Sequence, residues 1–190
     1  MADGGRVITG LAKGLRLEAP GEGTRPLTDR LKQSLFAVFE ASSDVAAGGS
    51  FLDLFAGSGA GGIEALSRGG GRAVFVERDA RACRVIEANL QRSGLEGGRV
   101  VRDDVLRFLR RGSAPIGGPF GSCLLDPPYD LPVLDTCLKL LADPELDWLA
   151  AGAVVAAKHF WRDAPPDEVG RLRVFRSLRT GETMLTFYEE

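Results

Sequence analysis

The segment Cys-Leu-Leu-Asp-Pro-Pro-Tyr (residues 123–129) ends an apolar run with a carboxylate, two prolines and an aromatic ring. The prolines cannot donate backbone N–H groups to a sheet, so a strand that reaches them ends there. An exocyclic amine of a nucleobase is a poor nucleophile because its lone pair is delocalised into the ring. If Asp126 and the carbonyl group of Pro127 each accept one N–H, that lone pair can attack a methyl donor, while Tyr129 stacks on the base.

A second candidate site is the glycine-rich segment Ala-Gly-Ser-Gly-Ala-Gly-Gly. The pattern G-x-G-x-x-G is satisfied by Gly57, Gly59 and Gly62. Glu77 lies 20 residues beyond the first of these glycines, where a dinucleotide-binding enzyme has its ribose-binding acid. Asp53, however, precedes the loop inside an apolar run, where a carboxylate would repel the pyrophosphate of a dinucleotide. It would favour a ligand with an amino group, which S-adenosylmethionine has.

Two further acids follow the next two predicted strands. Glu77 can accept hydrogen bonds from both hydroxyl groups of a ribose, and Asp104 can accept from an adenine amino group. Each acid alone is more often a helix cap, and Asp103 or Asp104 could cap the helix that follows. Together with Asp53, however, they place carboxylates at the carboxyl ends of three successive strands, which is the edge where open α/β sheets bind ligands.

The elements that must position these residues alternate regularly from residue 50 onward. Strands are predicted from apolar runs at 51–55, 73–76, 99–102, 120–125 and 152–157, and helices at 60–68, 79–92, 104–111 and 131–141. This order predicts an α/β, Rossmann-like fold, in which a parallel sheet has helices on both faces. The carboxyl ends of its strands then bring the glycine loop, the acids and Asp126 to one edge.

Both ends of the chain carry additional predicted elements. Apolar runs at 7–9 and 15–17 predict an N-terminal β-hairpin. Thr28 is the predicted N-cap of a helix whose apolar residues recur at helical spacing. Segments 171–178 and 183–188 predict a C-terminal hairpin that turns near a glycine.

Composition restricts the class of protein. The chain has 190 residues, of which 44% are hydrophobic and 26% charged, as expected for one globular domain. It contains no apolar stretch of the roughly 20 residues that a membrane span needs, and no signal-peptide pattern, so we expect a cytoplasmic protein without a membrane partner. The three cysteines lie far apart and form no C-x-x-C pair, so neither a disulfide framework nor a metal site is indicated.

The net charge of −2 argues against a protein that coats nucleic acid through bulk charge. Residues 1–32 nevertheless contain six basic and four acidic side chains. Because weak bulk attraction requires a local basic surface, we predict that Arg6, Lys13 and Arg16 of the hairpin contact RNA phosphates. Arg25, Arg30 and Lys32 are predicted to continue this surface near the mouth of the site. A second basic run at 171–179 is typical of a solvated surface.

Nearly the whole chain resembles the bacterial 16S ribosomal RNA guanine-N2 methyltransferases, often called RsmD. The resemblance depends on four segments, namely Arg-Pro-Leu-Thr-Asp-Arg-Leu-Lys-Gln-Ser-Leu-Phe (25–36), the glycine-loop region (52–69), Phe-Val-Glu-Arg-Asp (75–79) and Asp-Pro-Pro-Tyr (126–129). Most methyltransferases of this fold share the glycine loop and the acids. The combination of the first segment with Asp-Pro-Pro-Tyr is much more specific to this family. Lys32, Gln33 and Gly61 depart from the family pattern.

The resemblance implies a seven-stranded, mostly parallel sheet with an antiparallel last strand. It also implies a hairpin extension over residues 1–24 and an S-adenosylmethionine-dependent methyltransferase domain over 25–190. The implied substrate is guanine N2 in the 16S ribosomal RNA of an assembling small subunit, and we expect a monomer that uses no metal. Substrate contacts are expected from five residues: Arg25, Asp29, Arg30, Pro128 and Tyr129.

Three other interpretations use parts of the same pattern. An adenine-N6 methyltransferase acting on DNA or RNA also uses Asp-Pro-Pro-Tyr, but the segment at 25–30 and the lack of a separate target-recognition domain favour guanine. An NAD-dependent dehydrogenase explains the glycines and leaves Asp-Pro-Pro-Tyr without a role. A ribosome-assembly factor without activity is the non-enzymatic alternative, against which the intact Asp126 and glycine loop argue. We interpret His159 and Trp161 as structural residues.

Overall fold

The computed structural model describes residues 2–21, 27–129 and 132–190. Its helices are α1 (Asp29–Ser42), α2 (Ala60–Ser67), α3 (Ala80–Ser93), α4 (Val105–Leu109) and α5 (Leu134–Ala142), with one 3-10 turn at Ala114–Ile116. Its strands are β1 (Ala2–Arg6), β2 (Arg16–Ala19), β3 (Ser50–Leu54), β4 (Arg72–Glu77), β5 (Gly98–Arg102), β6 (Phe120–Leu125), β7 (Leu149–Phe160), β8 (Glu168–Val169), β9 (Leu172–Thr180) and β10 (Thr183–Glu189). None of the helices in these ranges has the length and apolar character needed to cross a bilayer.

The central sheet confirms the predicted α/β fold. Its strand order is β5-β4-β3-β6-β7-β10-β9-β8. The first five of these strands run parallel, whereas β10 is antiparallel to both β7 and β9. The strand order reverses between β3 and β6, and open sheets bind ligands at such a reversal. The sheet has eight strands rather than seven because β8, which has only two residues and no detectable alternation, pairs with β9 at the edge.

Alternation along the strands divides the core between the two faces of the sheet. Phe51 and Phe75 pack with residues of α1, α2 and α3 on one face. Leu52 and Val76 pack with residues of α4 and α5 on the other. Strands that are apolar on both sides need helices on both sides, and this requirement places the loops between strands and helices at the ends of the sheet.

Helix α1 begins where the sequence predicts, because Oγ1 of Thr28 accepts a hydrogen bond from the N–H of Leu31 at 3.3 Å. The next residue of the helix, Lys32, points into the protein and its side chain is 0% exposed. Its ammonium group donates to the carbonyl group of Arg6 and lies 4.0 Å from Oε2 of Glu64. Lys32 therefore holds α1 against the hairpin and α2 and does not present its charge to a substrate.

The N-terminal hairpin is present, but its first strand ends before the apolar run that was predicted to form it. The N–H groups of Ile8 and Thr9 donate instead to the carboxylate of Glu64 in α2, at 2.9 and 3.1 Å. Val7 still pairs across the hairpin, since it donates to the carbonyl of Leu15 and accepts from the N–H of Gly14. The bonds to Glu64 take the next two residues out of the ladder and fix the hairpin on α2. Gly10 is required here because its φ is +84° and a Cβ would lie 1.7 Å from the carbonyl oxygen of Ser67. The predicted domain boundary at residue 24 lies outside the described residues.

Candidate active site

A cleft of about 1130 Å³ opens along the carboxyl ends of the parallel strands. Its walls contain eight residues that the sequence predicted as functional: Asp53, Gly57, Glu77, Asp104, Asp126, Pro127, Pro128 and Tyr129. The sheet register explains why they meet. Asp53 of β3 lies level with Phe75 of β4 and Leu124 of β6, so the segments that follow these strands reach the same edge.

The glycine loop joins β3 to α2. Gly57 and Gly59 have φ angles of 56° and 79°, in the left-handed region that favours glycine. Gly57 lines the cleft, whereas Gly59 contacts α3, because a Cβ at this position would lie 3.0 Å from Cγ2 of Ile86. A Cβ on Gly61 would lie 2.9 Å from Oδ2 of Asp53. Gly61, which departs from the family pattern, therefore leaves space for the carboxyl group of Asp53.

The carboxylate of Glu77 connects the glycine loop to the end of β4. Its Oε2 accepts a hydrogen bond from the N–H of Gly57 at 3.0 Å, and its Oε1 accepts from the N–H of Asp79 at 2.9 Å. Each carboxylate oxygen has two lone pairs, so both oxygens can still accept from a ligand hydroxyl group. Glu77 can thus fix the loop and bind a ribose at the same time.

Asp53 is 2% exposed, and its Oδ2 accepts a hydrogen bond from the N–H of Gly62 at 2.8 Å. Burial raises the pKa of this carboxyl group from 3.8 to about 8, and the nearby charges of Asp126 and Glu77 add to the increase. The hydrogen bond from Gly62 opposes it. A ligand that brings an ammonium group to this position would stabilise the ionised form of Asp53.

We expect Asp53→Asn to raise the melting temperature of the ligand-free protein by several degrees more at pH 8 than at pH 5. Between the ordinary pKa of 3.8 and the folded value of about 8, only the folded protein keeps the proton on Asp53. That contribution to stability is lost as the pH rises, whereas an asparagine can accept from Gly62 at every pH. Melting curves from pH 5 to 8 measure the difference.

The control for this prediction is Glu96→Gln, which neutralises an exposed acid and should shift the melting curve equally at both pH values. A melting temperature of Asp53→Asn that falls below that of the wild type at pH 8 would contradict the conclusion that burial disfavours the ionised form of Asp53.

Asp104 is the N-cap of α4, since its Oδ1 accepts a hydrogen bond from the N–H of Arg107 at 3.0 Å. Asp103 is buried, pairs with Arg107 and Arg111, and is not part of the cleft wall. The helix-cap interpretation is therefore confirmed for Asp104. Its Oδ2 has no hydrogen-bond partner within the described part of the chain and remains able to accept from a ligand in the cleft.

The Asp-Pro-Pro-Tyr segment follows β6 directly. Asp126 forms an ion pair with Lys158 of β7, whose ammonium group lies 5.2 Å from the centre of the Tyr129 ring. The hydroxyl group of Tyr129 is 2.8 Å from Oγ1 of Thr183 in β10. Tyr129 is 39% exposed. Its ring is therefore held at the hydroxyl end and remains open to a stacking partner.

Sequence reasoning missed Lys158, although it lines the cleft beside Asp126. Its signal is its position at the end of the fifth predicted strand, on the same edge of the sheet. The next residue, His159, is buried and has the structural role that was predicted. Its Nδ1–H donates to the carbonyl of Phe160 at 2.8 Å and its Nε2 accepts from the Thr186 hydroxyl at 2.9 Å. Burial lowers the pKa of His159, which favours this neutral form.

Sequence reasoning also missed Asn89 of α3, which is fully buried. Its Oδ1 accepts a hydrogen bond from the N–H of Glu18 at 3.0 Å, and its Nδ2 donates to the carbonyls of Glu18 and Ser58, both at 3.0 Å. Asn89 therefore ties β2 of the hairpin to the glycine loop. Nothing local marks it, because 71 residues separate it from Glu18.

The segment before and within α1 contributes different residues from those predicted. Arg25 lies outside the described residues. Asp29 forms an ion pair with Arg6 at 2.7 Å, Arg30 is exposed, and neither is part of the cleft wall. The structure therefore does not bring Asp29 or Arg30 into the cleft, and their contacts with a substrate stay predictions. Three other residues of the segment line it: Leu27, Thr28 and Leu31.

Comparison with protein families gives a match over residues 5–189 to the family described as Conserved hypothetical protein 95. The chain belongs to this family. A relative from Bacillus subtilis, "Putative rRNA methyltransferase YlbH", is 38% identical over 187 residues, which cover 97% of this chain and 98% of that protein. The Escherichia coli K12 protein "Ribosomal RNA small subunit methyltransferase D" is 31% identical over 185 residues, which cover 97% and 89%.

Among solved structures, "Putative methyltransferase yhhF from Escherichia coli" superimposes with a TM-score of 0.81 at 30% identity and covers 97% of both chains. These matches place the Conserved hypothetical protein 95 family, and this chain with it, on a methyltransferase fold. The resemblance inferred from the four sequence segments is confirmed.

Proposed function

We propose that this protein transfers the methyl group of S-adenosylmethionine to the exocyclic N2 of a guanine in small-subunit ribosomal RNA. The observation that carries the proposal is the meeting of Asp-Pro-Pro-Tyr with the acid-flanked glycine loop in one cleft. The names of the relatives, which describe ribosomal RNA methyltransferases, support both the reaction and the class of substrate.

The residues around the glycine loop fit S-adenosylmethionine better than a dinucleotide. The buried carboxyl group of Asp53 suits the amino group of this ligand, whose ammonium charge would stabilise the ionised form, whereas a pyrophosphate would disfavour that form. Glu77 retains lone pairs for ribose hydroxyl groups, and Asp104 retains one oxygen for the adenine amino group. When bound, the cofactor supplies an electrophilic methyl group. This fit argues against the NAD-dependent dehydrogenase.

The Asp-Pro-Pro-Tyr segment orients the base. Asp126 and the carbonyl group of Pro127 accept the two N–H groups of the guanine amine, so that its lone pair no longer conjugates with the ring. Positive charge develops on this nitrogen as the new N–C bond forms, and the carboxylate of Asp126 stabilises it. Tyr129 stacks on the base, and the contact of its hydroxyl group with Thr183 limits rotation of the ring. The methylated amine is acidic and releases its proton to solvent.

The proposed partner is 16S ribosomal RNA presented by an assembling small subunit in the cytoplasm, bound by a single copy of this protein. A guanine reaches Tyr129 only when it is unpaired and outside a stacked helix. Such bases are available while the subunit assembles. No metal takes part in the proposed reaction, and the described residues contain no cluster of three side chains suited to hold one.

Nucleoside analysis of small-subunit RNA tests the proposal. Small subunits are isolated from a bacterial strain in which the corresponding methyltransferase is deleted, and are incubated with this protein and S-adenosylmethionine. Mass spectrometry of the digested RNA should then show N2-methylguanosine. N6-methyladenosine would favour the adenine methyltransferase, and a lack of methylation of both particles and free RNA would overturn the proposed reaction.

A further inference from the structure

Next to the cleft, the guanidinium groups of two arginines pack on the ring of a partly exposed tryptophan. Trp161 directly follows β7, and the Cζ atom of Arg179 lies 4.1 Å from the centre of its ring. The Cζ atom of Arg162 lies 4.7 Å from the same ring. Both arginines are exposed. We call these three residues the Trp161 patch.

The guanidinium groups of the Trp161 patch have no carboxylate within 4.0 Å among the described residues, although Arg171 and Arg173 of the same region pair with Glu190 and Glu168. Arg179 uses its Nε to donate to the carbonyl group of Gly181 at 2.9 Å, which leaves both of its terminal nitrogens available. A ring that packs on the face of a guanidinium group leaves the N–H edge free. That planar edge matches the oxygens of a phosphate.

The Trp161 patch is continuous with the cleft wall. Thr180 and Thr183 line the cleft, and Thr180 is the neighbour of Arg179 in β9. The backbone N–H of Trp161 donates to the carbonyl group of Glu182 at 3.0 Å. A row of aromatic rings also connects the cleft with the Trp161 patch. The ring centres of Tyr129 and Phe160 are 6.4 Å apart, and those of Phe160 and Trp161 are 6.1 Å apart.

We propose that the Trp161 patch binds the phosphates of the nucleotides that flank the target guanine, an inference that rests on the proposed function. The target base must leave its helix to reach Tyr129, so the adjacent backbone enters the cleft as a single strand. Two arginines held beside the cleft, neither of which pairs with a carboxylate of the described ranges, supply the positive charge that such a strand requires. Trp161 is partly exposed, and the exposed part of its ring can contact a neighbouring base.

The test compares Arg162→Ala/Arg179→Ala with the wild type on small-subunit particles. We expect the double variant to raise the KM for RNA about tenfold. The slope of log affinity against log salt should fall by about 1.4, which is about 0.7 for each phosphate that an arginine no longer neutralises. The kcat at saturating RNA and the Kd for S-adenosylmethionine should change less than about twofold, because neither arginine lines the cleft.

The matched control is Arg173→Ala, which removes an exposed arginine of the same strand that already pairs with Glu168. It should leave the KM and the salt slope as in the wild type. An unchanged KM and salt slope in the Arg162→Ala/Arg179→Ala variant, with an unchanged melting temperature, would overturn the inference. If Arg173→Ala changed the KM and the salt slope as much as the double variant does, a general effect of net charge would explain both results and the inference would also be overturned.

Binding measured by tryptophan fluorescence separates this inference from the proposed reaction. The protein has two tryptophans, of which Trp148 is 0% exposed and Trp161 is partly exposed. A single-stranded oligoribonucleotide of the substrate region should therefore quench Trp161, and the double variant should need about tenfold more RNA for half-maximal quenching. Binding that depends on the Trp161 patch without methylation would overturn the proposed reaction alone. A lack of quenching in the wild type would overturn the patch as an RNA surface.

Discussion

Asp126→Ala should reduce the rate of methyl transfer by about a hundredfold or more, because the variant lacks one of the two acceptors that hold the guanine amine, together with the charge that stabilises the methylated nitrogen. The affinity for S-adenosylmethionine should change by less than about threefold, since Asp126 follows β6 whereas the glycine loop follows β3. Single-turnover rates on small-subunit particles and calorimetry with the cofactor measure the two effects separately.

A double variant controls for the ion pair with Lys158, whose side chain is only 13% exposed. Asp126→Ala leaves this ammonium group without its partner, which can lower stability without any catalytic role. Asp126→Ala/Lys158→Ala removes both charges and should be as inactive as the single variant while melting closer to the wild type. If either variant retains more than about a third of the wild-type rate, Asp126 only ends a strand and the amine is held elsewhere.

Glu77→Ala should weaken S-adenosylmethionine binding by about tenfold or more while the rate at saturating cofactor changes little. The substitution removes the acceptor for ribose hydroxyl groups and also leaves the N–H groups of Gly57 and Asp79 without their carboxylate partner. The glycine loop is then no longer connected to β4. Calorimetry gives the Kd, and rates at increasing cofactor concentration separate KM from kcat.

Glu77→Gln is the matched control because its single amide oxygen can keep only one of the two backbone N–H groups. It should bind the cofactor with an affinity between those of the wild type and Glu77→Ala. The opposite pattern, an unchanged Kd with a much reduced kcat, would place Glu77 with Asp126 in the orientation of the base and would overturn its assignment to the cofactor.

The central elements could be predicted because their signals are local. Each strand from β3 to β7 is an apolar run between polar segments, and each following helix shows its own periodicity. The rule that parallel strands end at one edge then predicts that Asp53, Glu77 and Asp126 share a cleft. Thr28 could be predicted as a cap because its bond to Leu31 spans only three residues.

Errors occurred where a distant residue takes over a local hydrogen bond. The apolar run after β1 continues the hairpin only as far as Val7, because Glu64, more than fifty residues away, accepts the N–H groups of Ile8 and Thr9. Lysine is usually a surface residue, and yet Lys32 is buried. The carbonyl group of Arg6 and the charge of Glu64 compensate the cost of burying its ammonium group. The two-residue strand β8 forms only because β9 is already beside it.

The sequence by itself determined the fold class, the glycine loop, the acids and the Asp-Pro-Pro-Tyr segment, because each depends on residue type and short spacing. Only the tertiary structure decided which side chains support them. Asn89 reaches the hairpin and the glycine loop, Lys158 pairs with Asp126 across 32 residues, and Arg179 packs on Trp161. Such contacts join segments that are distant along the chain, and their geometry is set by how the sheet, helices and hairpin pack in three dimensions.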